Sequence, residues 1–266
     1  MFNWLSNIIG LKQSTNQQQD SNSQQRQRLK FDELPKLIYA IGDVHGCLNL
    51  LQELEDKIAN DCTKQKQEAL IIMLGDYVDR GPDSAAVLDH LLSSPPAGTT
   101  RLCLAGNHEE AMLTFLQNPK SHADWLNFGG VQTLTSYGFN PNELNLSDIK
   151  HRNFIHKINS FIPNEHIDFL AKLPSIAIFP KYVFVHAGIR SEISLDAQSD
   201  TDLLQIRGGF LNHAGIPNLT VVHAHTPIEK PYISATRINI DTGAYISSHL
   251  SAIKIVNAKV AGILTS

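Results

Sequence analysis

Five short apolar runs in this chain each end in residue types that bind metal or phosphate. They are LIYAI (37–41) before GDVHG (42–46), LIIML (70–74) before GDYVDRG (75–81), LCLA (102–105) before GNHE (106–109), YVFV (182–185) before HAG (186–188), and TVV (220–222) before HAHT (223–226). Buried strands of an α/β sheet read as continuous apolar runs, and ligands bind beyond the carboxyl ends of such strands. The pattern therefore predicts one polynuclear metal site, assembled from distant parts of the chain.

The composition is that of a folded protein from a reducing compartment. Hydrophobic residues make up 42% of the 266 residues, enough for the core of one α/β domain. A formal net charge of −4 offers no basic surface for nucleic acid, and no apolar stretch reaches the roughly 20 residues of a transmembrane helix. Three cysteines, Cys47, Cys62 and Cys103, do not make a disulfide framework. We therefore predict a cytoplasmic protein with no transmembrane segment and no nucleic-acid partner.

The first 35 residues differ in composition from the rest of the chain. Five apolar side chains near the N-terminus can share one face of a short helix: Phe2, Trp4, Leu5, Ile8 and Ile9. Residues 13–28 contain no apolar residue, so they cannot offset the entropy of ordering and are predicted to be a disordered linker. We predict that residues 1–35 precede a domain of residues 36–266. The apolar segment is either a weak docking contact or a tail that packs on the domain itself.

Helical and extended patterns alternate along the predicted domain. After each of the first two motifs, apolar residues recur with helical spacing, and strand–loop–helix units of this kind imply right-handed parallel crossovers. Residues 110–173 read as mostly helical, 175–185 as a hairpin, and 238–264 as further strands. We therefore predict an α/β fold of two packed mixed β-sheets flanked by helices, a four-layer sandwich with a helical insertion.

The ordered motifs GDVHG, GDYVDRG, GNHE and HAG, followed by a late His–Thr pair, resemble those of the phosphoprotein phosphatase family of dinuclear metallophosphoesterases. Within that family the chain resembles the bacterial serine/threonine protein phosphatase type. The resemblance spans residues 37–244, and four ordered blocks are far more specific than a single GD or HAG. It implies a metallophosphoesterase fold and two divalent metal ions, with Mn expected and Fe, Zn or Ni as alternatives.

The resemblance also implies which residues bind the metals. Six ligands match the motif positions of the family: Asp43, His45, Asp76, Asn107, His186 and His225. In that scheme Asp76 bridges the two ions, because a carboxylate can share its two oxygens. Oxygen and imidazole ligands of this kind suit divalent cations at a hydrolytic site. Hydroxide between the metals would attack phosphorus in line.

Four further residues match the catalytic and phosphate-binding positions of the family. His108 is the expected general acid, and Asp79 is expected to orient its ring and raise its pKa. Arg80 and Arg207 are expected to hold the phosphate oxygens, since a planar guanidinium offers paired donors. Arg190, just after HAG, is the alternative to Arg207. Relatives often carry Trp-Ile-Arg where this chain has Gln-Ile-Arg (205–207).

Two segments leave alternatives open. His223 lies two residues before His225 and is either a supporting residue or a ligand, although Ala224-His225-Thr226 aligns better with the Gly-His-Thr of the family. The triplet DTG (241–243) resembles an aspartic protease motif. Those enzymes need two copies, and this chain has one beside the metal motifs, so a structural turn near the site is expected.

The resemblance implies hydrolysis of phosphomonoesters, and a serine/threonine protein phosphatase acting on a phosphorylated protein or a small phosphoester is the main hypothesis. Diadenosine tetraphosphate hydrolases share the core motifs but tend to read VNRG and GNHD. This chain has VDRG (78–81) and GNHE (106–109), which favours the monoesterase. A non-catalytic phospho-ligand binding module is the third hypothesis. All expected ligands are present, which argues against it.

Overall fold

Two mixed β-sheets and the helices around them form the protein, as the sequence predicts. The structure, a computed structural model, describes residues 25–140, 152–213 and 215–266, and only the backbone of 152–155. In these ranges no helix combines the length and the apolar character needed to cross a membrane. Cys47, Cys62 and Cys103 are free thiols, and the sequence did not predict a disulfide framework.

The first sheet has five strands and carries the first three motifs. Its strands are β2 (Leu37–Ile41), β3 (Ala69–Met73), β4 (Thr99–Cys103), β10 (Ser251–Val256) and β11 (Lys259–Thr265). Their spatial order is β11-β10-β2-β3-β4. β2, β3 and β4 are parallel, and the two C-terminal strands add to the sheet in antiparallel pairs. The predicted parallel crossovers are therefore confirmed.

The second sheet has six strands and carries the last two motifs. Its strands are β1 (Arg28–Lys30), β5 (Ile176–Phe179), β6 (Tyr182–Val185), β7 (Thr220–His223), β8 (Tyr232–Ile233) and β9 (Arg237–Asn239). Their spatial order is β1-β5-β6-β7-β9-β8. β5 and β6 form the predicted antiparallel hairpin, and β6 pairs in parallel with β7.

Helices connect the strands and cover the sheets. They are α1 (Leu48–Gln65), α2 (Ser84–Leu92), α3 (Asn107–Gln117), α4 (Gly130–Ser136), α5 (Arg152–Phe161), α6 (Asn164–Lys172), α7 (Asp200–Gln205), α8 (Gly208–Leu211) and α9 (Ala244–Ser247), with 3₁₀ turns at Ala123–Phe128 and Leu195–Ala197. α3 to α6 form the predicted helical insertion of residues 110–173, although α3 begins three residues earlier, at Asn107. They bury their apolar faces in the same core as the outer face of the first sheet.

Alternation along the strands separates the core into layers. Ile38 and Ala40 of β2 pack with Phe184 of β6 between the sheets, whereas Tyr39 of β2 packs with Leu54 of α1 on the outer face. Successive residues of a strand point to opposite faces, so a strand that is apolar throughout must be covered on both sides. The continuous apolar runs of the sequence are explained by this double coverage. The layers are those expected for a four-layer sandwich.

The folded chain begins before the domain boundary that we predicted at residue 36. β1 pairs in parallel with β5, and Leu29 and Phe31 are buried, with the Phe31 ring stacked on Phe179 at 4.4 Å. The alternation of Leu29 and Phe31 with charged residues is too short to read as a strand without its partner. Most of the predicted linker, and the apolar segment before it, lie outside the described residues.

Candidate active site

The five polar motifs meet at one edge of the two sheets. β2, β3 and β4 are parallel neighbours, so the segments that follow them leave the first sheet at the same edge. Asp76, which follows β3, lies between two histidines of other motifs. Its Oδ2 is 3.6 Å from Nε2 of His45, and its Oδ1 is 3.4 Å from Nε2 of His186. The predicted convergence is therefore present in the fold.

Left-handed backbone conformation is concentrated at this site. In the described part of the chain, five of the eleven non-glycine residues with positive φ are predicted site residues: His45, Asp76, Asp79, Arg80 and His225. Each costs about 1–2 kcal/mol relative to the right-handed conformation. Backbone strain persists only where the surrounding structure enforces it, and it clusters at functional sites. The fold thus holds these side chains in directions that a free loop would not keep.

Gly106 allows the third motif to approach the second. A Cβ at this position would lie 2.2 Å from Oδ1 of Asp76 and 2.4 Å from its backbone nitrogen. Any side chain here would separate the two motifs. With glycine, α3 begins at Asn107, and the backbone N–H of His108 donates to Oδ1 of Asp76 at 3.0 Å.

One group of candidate ligands surrounds Nε2 of His186. Oδ1 of Asn107 is 2.9 Å away, Nδ1 of His225 is 3.1 Å away, and Oδ1 of Asp76 completes the group. Nδ1 of His186 contacts the carbonyl oxygen of Leu74 at 2.9 Å, which places the proton on Nδ1 and leaves the lone pair of Nε2 facing the other ligands. These four residues are the predicted ligands that can hold one of the two metals.

A second group of candidate ligands lies on the other side of Asp76. Nδ1 of His45 contacts the carbonyl oxygen of Val78 at 2.9 Å, so its Nε2 is free to face Oδ2 of Asp76. Asp43 lies beside the first group, since its Oδ2 accepts from the backbone N–H of His225 at 3.2 Å and its Oδ1 is 3.6 Å from Nδ1 of His186. Burial lowers the pKa of His45 and of His225 to about 3, so both rings are neutral near pH 7 and can donate lone pairs.

Buried polar atoms without partners indicate that this site is built for cations. Oδ1 of Asp43, Nε2 of His225 and Oδ2 of Asp241 are buried and accept or donate no hydrogen bond. Burial, together with the charges of Asp241 and Asp76, raises the pKa of Asp43 well above its usual range. A buried acidic cluster of this kind is unfavourable unless positive charge compensates it. The oxygen and imidazole donors present therefore fit divalent metal ions.

His108 also lies close to the second ligand group, beside His45 and Asp76, but its contacts favour proton transfer over metal binding. Its Nε2 is 3.9 Å from Oδ2 of Asp76, within range of a shared cation. Its Nδ1, however, is 2.6 Å from Oδ2 of Asp79, and its Nε2 is 3.1 Å from the Arg80 guanidinium. Burial alone would lower the pKa of His108, but the carboxylates of Asp76 and Asp79 outweigh it and raise that pKa.

Asp79 is held by three side chains besides the histidine. The indole N–H of Trp125 donates to its Oδ2 at 2.8 Å, and the Thr133 hydroxyl donates to its Oδ1 at 2.7 Å. Its own backbone N–H donates to the hydroxyl oxygens of Thr133 and Ser84. Sequence reasoning identified none of these partners. A buried carboxylate needs donors, but the sequence does not show which distant side chains supply them.

Glu109, the last residue of GNHE, organises the backbone beneath the ligands. Its Oε2 accepts from the backbone N–H groups of Gly106 and Asp76 at 2.8 Å each. Its Oε1 accepts from those of Tyr77 at 2.7 Å and Val78 at 3.3 Å. The side chain thus ties the second and third motifs together. Its place in the motif was the available signal, although the sequence did not reveal this role.

The contact between Tyr245 and Arg80 was also not predicted from the sequence. The Tyr245 hydroxyl lies 2.9 Å from Nη1 of Arg80, and the Arg80 guanidinium carbon lies 4.8 Å from the centre of the Tyr245 ring. The same ring meets His45 edge-on at 5.2 Å. Tyr245 follows DTG (241–243), where Gly243 N–H donates to Oδ1 of Asp241 at 3.0 Å in a local turn. The triplet therefore forms the expected turn beside the site.

Arg207 and Arg190, the two candidates for the second phosphate-binding arginine, have different surroundings. Nη1 of Arg207 lies 3.5 Å from Oγ1 of Thr226, the residue after ligand His225. Arg190 is 46% exposed, and its Nε pairs with Oδ2 of Asp202 at 2.9 Å. The positive charge of Arg207 acts on the pKa of His225, whereas Arg190 is committed to an acidic partner outside the ligand groups. The geometry favours Arg207.

His223 is not placed as a ligand. Its Nδ1 contacts the carbonyl oxygen of Ala224 at 3.0 Å, and its Nε2 lies 3.2 Å from Nη1 of Arg237. The Phe210 ring packs edge-on against it at 5.0 Å. Both nitrogens are therefore engaged in the second sheet. Of the alternatives for this residue, its contacts favour a supporting role.

Comparison with known proteins identifies relatives of this chain. The chain is 28% identical over 221 residues to an asymmetrical bis(5'-nucleosyl)-tetraphosphatase PrpE from Oceanobacillus iheyensis, covering 80% of this chain and 86% of the relative. It is 26% identical to a protein of the same name from Halalkalibacterium halodurans, covering 80% and 88%. A symmetrical bis(5'-nucleosyl)-tetraphosphatase from Coxiella burnetii is 42% identical over 94 residues, which cover 35% of this chain and 28% of that protein.

Solved structures confirm the fold. The crystal structure of a proposed diadenosine tetraphosphatase superposes with a TM-score of 0.60 at 19% identity, covering 90% of this chain and 96% of the other. A cold-active protein-tyrosine phosphatase from a Shewanella species superposes with a TM-score of 0.54 at 17% identity, covering 91% and 83%. The sequence profile of the calcineurin-like phosphoesterases matches residues 36–249. The chain, with its two sheets and its convergent candidate ligands, belongs to the calcineurin-like phosphoesterase family.

Proposed function

We propose that this chain is a metal-dependent hydrolase of bis(5'-nucleosyl) tetraphosphates. The observation that carries the proposal is the similarity to two asymmetrical bis(5'-nucleosyl)-tetraphosphatases along 80% of this chain and 86–88% of theirs. The VDRG and GNHE motifs favoured a phosphomonoesterase and left hydrolysis of diadenosine tetraphosphate as the alternative. The relatives support that alternative. Motif preference at two positions is weaker support than similarity along most of both chains.

The roles that we propose for the residues follow from their contacts. Asp43, His45, Asp76, Asn107, His186 and His225 would hold two divalent ions. Bound there, the ions would supply Lewis acidity toward a phosphate and an activated water. Because all six ligands are retained and converge, the arrangement supports catalysis over passive binding of a phosphorylated ligand.

Other groups of the chain act on the substrate in this proposal. Arg80 and Arg207 would bind non-bridging phosphate oxygens, and the hydroxyl and ring of Tyr245 would fix the direction of Arg80. His108 would deliver a proton to the leaving oxygen. Asp79 would hold the His108 ring and favour its protonated form. Trp125 and Thr133 would keep Asp79 in place.

A serine/threonine protein phosphatase remains the second candidate, because one observation favours it. The 2.6 Å contact between Asp79 and His108 favours the protonated form of the ring and so provides a proton donor. An alkoxide leaving group needs such a donor more than a polyphosphate does, since a polyphosphate leaves as a stable anion. Proton donation by the Asp79–His108 pair would therefore accelerate hydrolysis of a phosphoserine substrate the most.

Parallel turnover assays test the choice between the two substrates. We expect the Mn²⁺-loaded protein to hydrolyse diadenosine tetraphosphate with a kcat/KM at least tenfold above that for a phosphoserine peptide. The Asp76→Asn variant is the control, and it should lose both activities if one site performs both. Faster turnover of the phosphoserine peptide would instead identify a protein phosphatase and overturn the proposal.

A further inference from the structure

Two apolar side chains stand out on the surface near the candidate site. Among the described large hydrophobic residues, Ile246 at 73% and Phe128 at 59% have the greatest exposed fractions. Ile246 follows Tyr245, whose hydroxyl contacts Arg80, and Phe128 precedes Gly129, whose carbonyl oxygen accepts from the Arg80 backbone N–H at 3.4 Å. Both exposed residues are thus attached to segments that touch the same phosphate-binding candidate.

The segment that carries Phe128 is anchored to Asp79 at one end and to Arg80 at the other. Within the 3₁₀ turn Ala123–Phe128, the indole N–H of Trp125 donates to Asp79. After the turn, Gly129 has a φ of +115°, and a Cβ there would lie 2.4 Å from the backbone nitrogen of Arg80. Phe128 is therefore presented by a fixed segment, and its distance from the phosphate site is set by these contacts.

The other two aromatic side chains beside Asp79 and Arg80 already make contacts within the protein. Trp125 is buried and its N–H is used by Asp79, while the ring of Tyr245 is used by the Arg80 guanidinium at 4.8 Å. Of these three rings, Phe128 alone offers an open face. At 59% exposure Phe128 gains only part of the burial energy of a phenyl ring from the fold, whereas stacking a base on an exposed aromatic ring gives substantial binding energy. A nucleoside joined to the bound phosphates would supply that base.

We propose that Phe128 stacks against a nucleobase of the substrate and thereby sets the preference for nucleoside polyphosphates over simple phosphoesters. The inference rests on the proposed function, since it assigns to Phe128 the part of the substrate that lies beyond the phosphates. In this proposal the ring binds the base and not the reacting phosphate, so it contributes to substrate binding and leaves the chemical step unchanged.

Steady-state kinetics of Phe128→Ala and Phe128→Trp test the inference. With diadenosine tetraphosphate, Phe128→Ala should raise KM by roughly 5- to 100-fold with kcat within about twofold of wild type, the range expected for one lost base-stacking contact. Phe128→Trp should keep KM near the wild-type value. Inorganic tripolyphosphate and nitrophenyl phosphate lack a nucleobase, and their KM values should change less than twofold in both variants. Leu92→Ala, at an exposed apolar residue of α2, is the matched control.

The outcomes separate the two proposals. Wild-type protein that fails to hydrolyse diadenosine tetraphosphate overturns both the proposed function and the role of Phe128. Wild-type turnover with an unchanged KM in Phe128→Ala overturns only the stacking inference. A rise in KM that is equal for tripolyphosphate also overturns it, because the effect would then concern the phosphate site. Circular dichroism of each variant checks that the fold is intact.

Discussion

The indole N–H of Trp125 donates to Oδ2 of Asp79 at 2.8 Å, and that oxygen is also the one that contacts His108. A single carboxylate oxygen therefore links the helical insertion to the proposed proton donor. Since Asp79 is fully buried, losing a donor leaves its charge less well solvated. The insertion thus covers the first sheet and also holds Asp79, and through it His108, in position.

Replacement of Trp125 by Phe should lower kcat for diadenosine tetraphosphate roughly tenfold, the scale of one hydrogen bond to a charged group. Phe115→Leu is the matched control, because the Phe115 ring packs 4.7 Å from that of Trp125 and has no N–H to donate to Asp79. Thermal unfolding should show a similar fall in Tm for both variants. Equal losses of kcat would mean that Trp125 acts through packing alone.

Asp79→Asn and His108→Ala should reduce turnover by similar factors, with the double variant little worse than either. The two residues form one unit at 2.6 Å, so their effects are not additive. The losses should be large for alkyl phosphates and small for nitrophenyl phosphate, whose leaving group hardly needs a proton. Identical losses for both classes of substrate would count against a general-acid role of His108.

Arg207→Ala should reduce kcat/KM by the equivalent of about 2–4 kcal/mol, the scale of one preorganised donor to the transition state. Arg190→Ala should change it far less, because Arg190 is half-exposed and already pairs with Asp202. Inhibition by free phosphate provides a second measurement, and it should weaken only in the Arg207 variant. A larger loss in the Arg190 variant on both measurements would reverse the assignment.

Glu109→Gln should destabilise the metal-free protein by about 2–3 kcal/mol, since an amide NH₂ would face backbone N–H donors that a carboxylate oxygen accepts. Urea unfolding followed by circular dichroism measures the change. Glu110→Gln is the adjacent control. Its side chain is 47% exposed and pairs with Arg26, so the loss should stay below about 1 kcal/mol. Similar changes in both variants would show that Glu109 does not organise the motif backbone.

The sequence predicted the parts of the site that depend on residues close together in the chain. Continuous apolar runs require strands that are covered on both faces, and a polar residue at the end of each run must then lie at the sheet edge. The metal-ligand motifs followed from this rule and from the resemblance. The same rule found the hairpin of β5 and β6, because its two runs are adjacent in the chain.

The parts that the sequence did not predict depend on contacts between distant residues. Tyr245 and Arg80 are 165 positions apart, and Trp125 and Asp79 are 46 apart. Nothing in the composition around Tyr245 or Trp125 indicates these partners. β1 was missed for the same reason, since a three-residue strand is recognisable only beside β5. Tertiary contacts, which a single sequence does not display, decide these positions.

We propose that six convergent side chains, with Asp76 at their centre, hold two divalent cations. Isothermal titration of the metal-free protein with Mn²⁺ tests it most directly, because the measurement counts ions and does not depend on the substrate. We predict two Mn²⁺ per chain for the wild type, and fewer than two for Asp76→Asn, which leaves a single oxygen ligand where two are needed. A stoichiometry of one or zero for the wild-type protein would contradict the account.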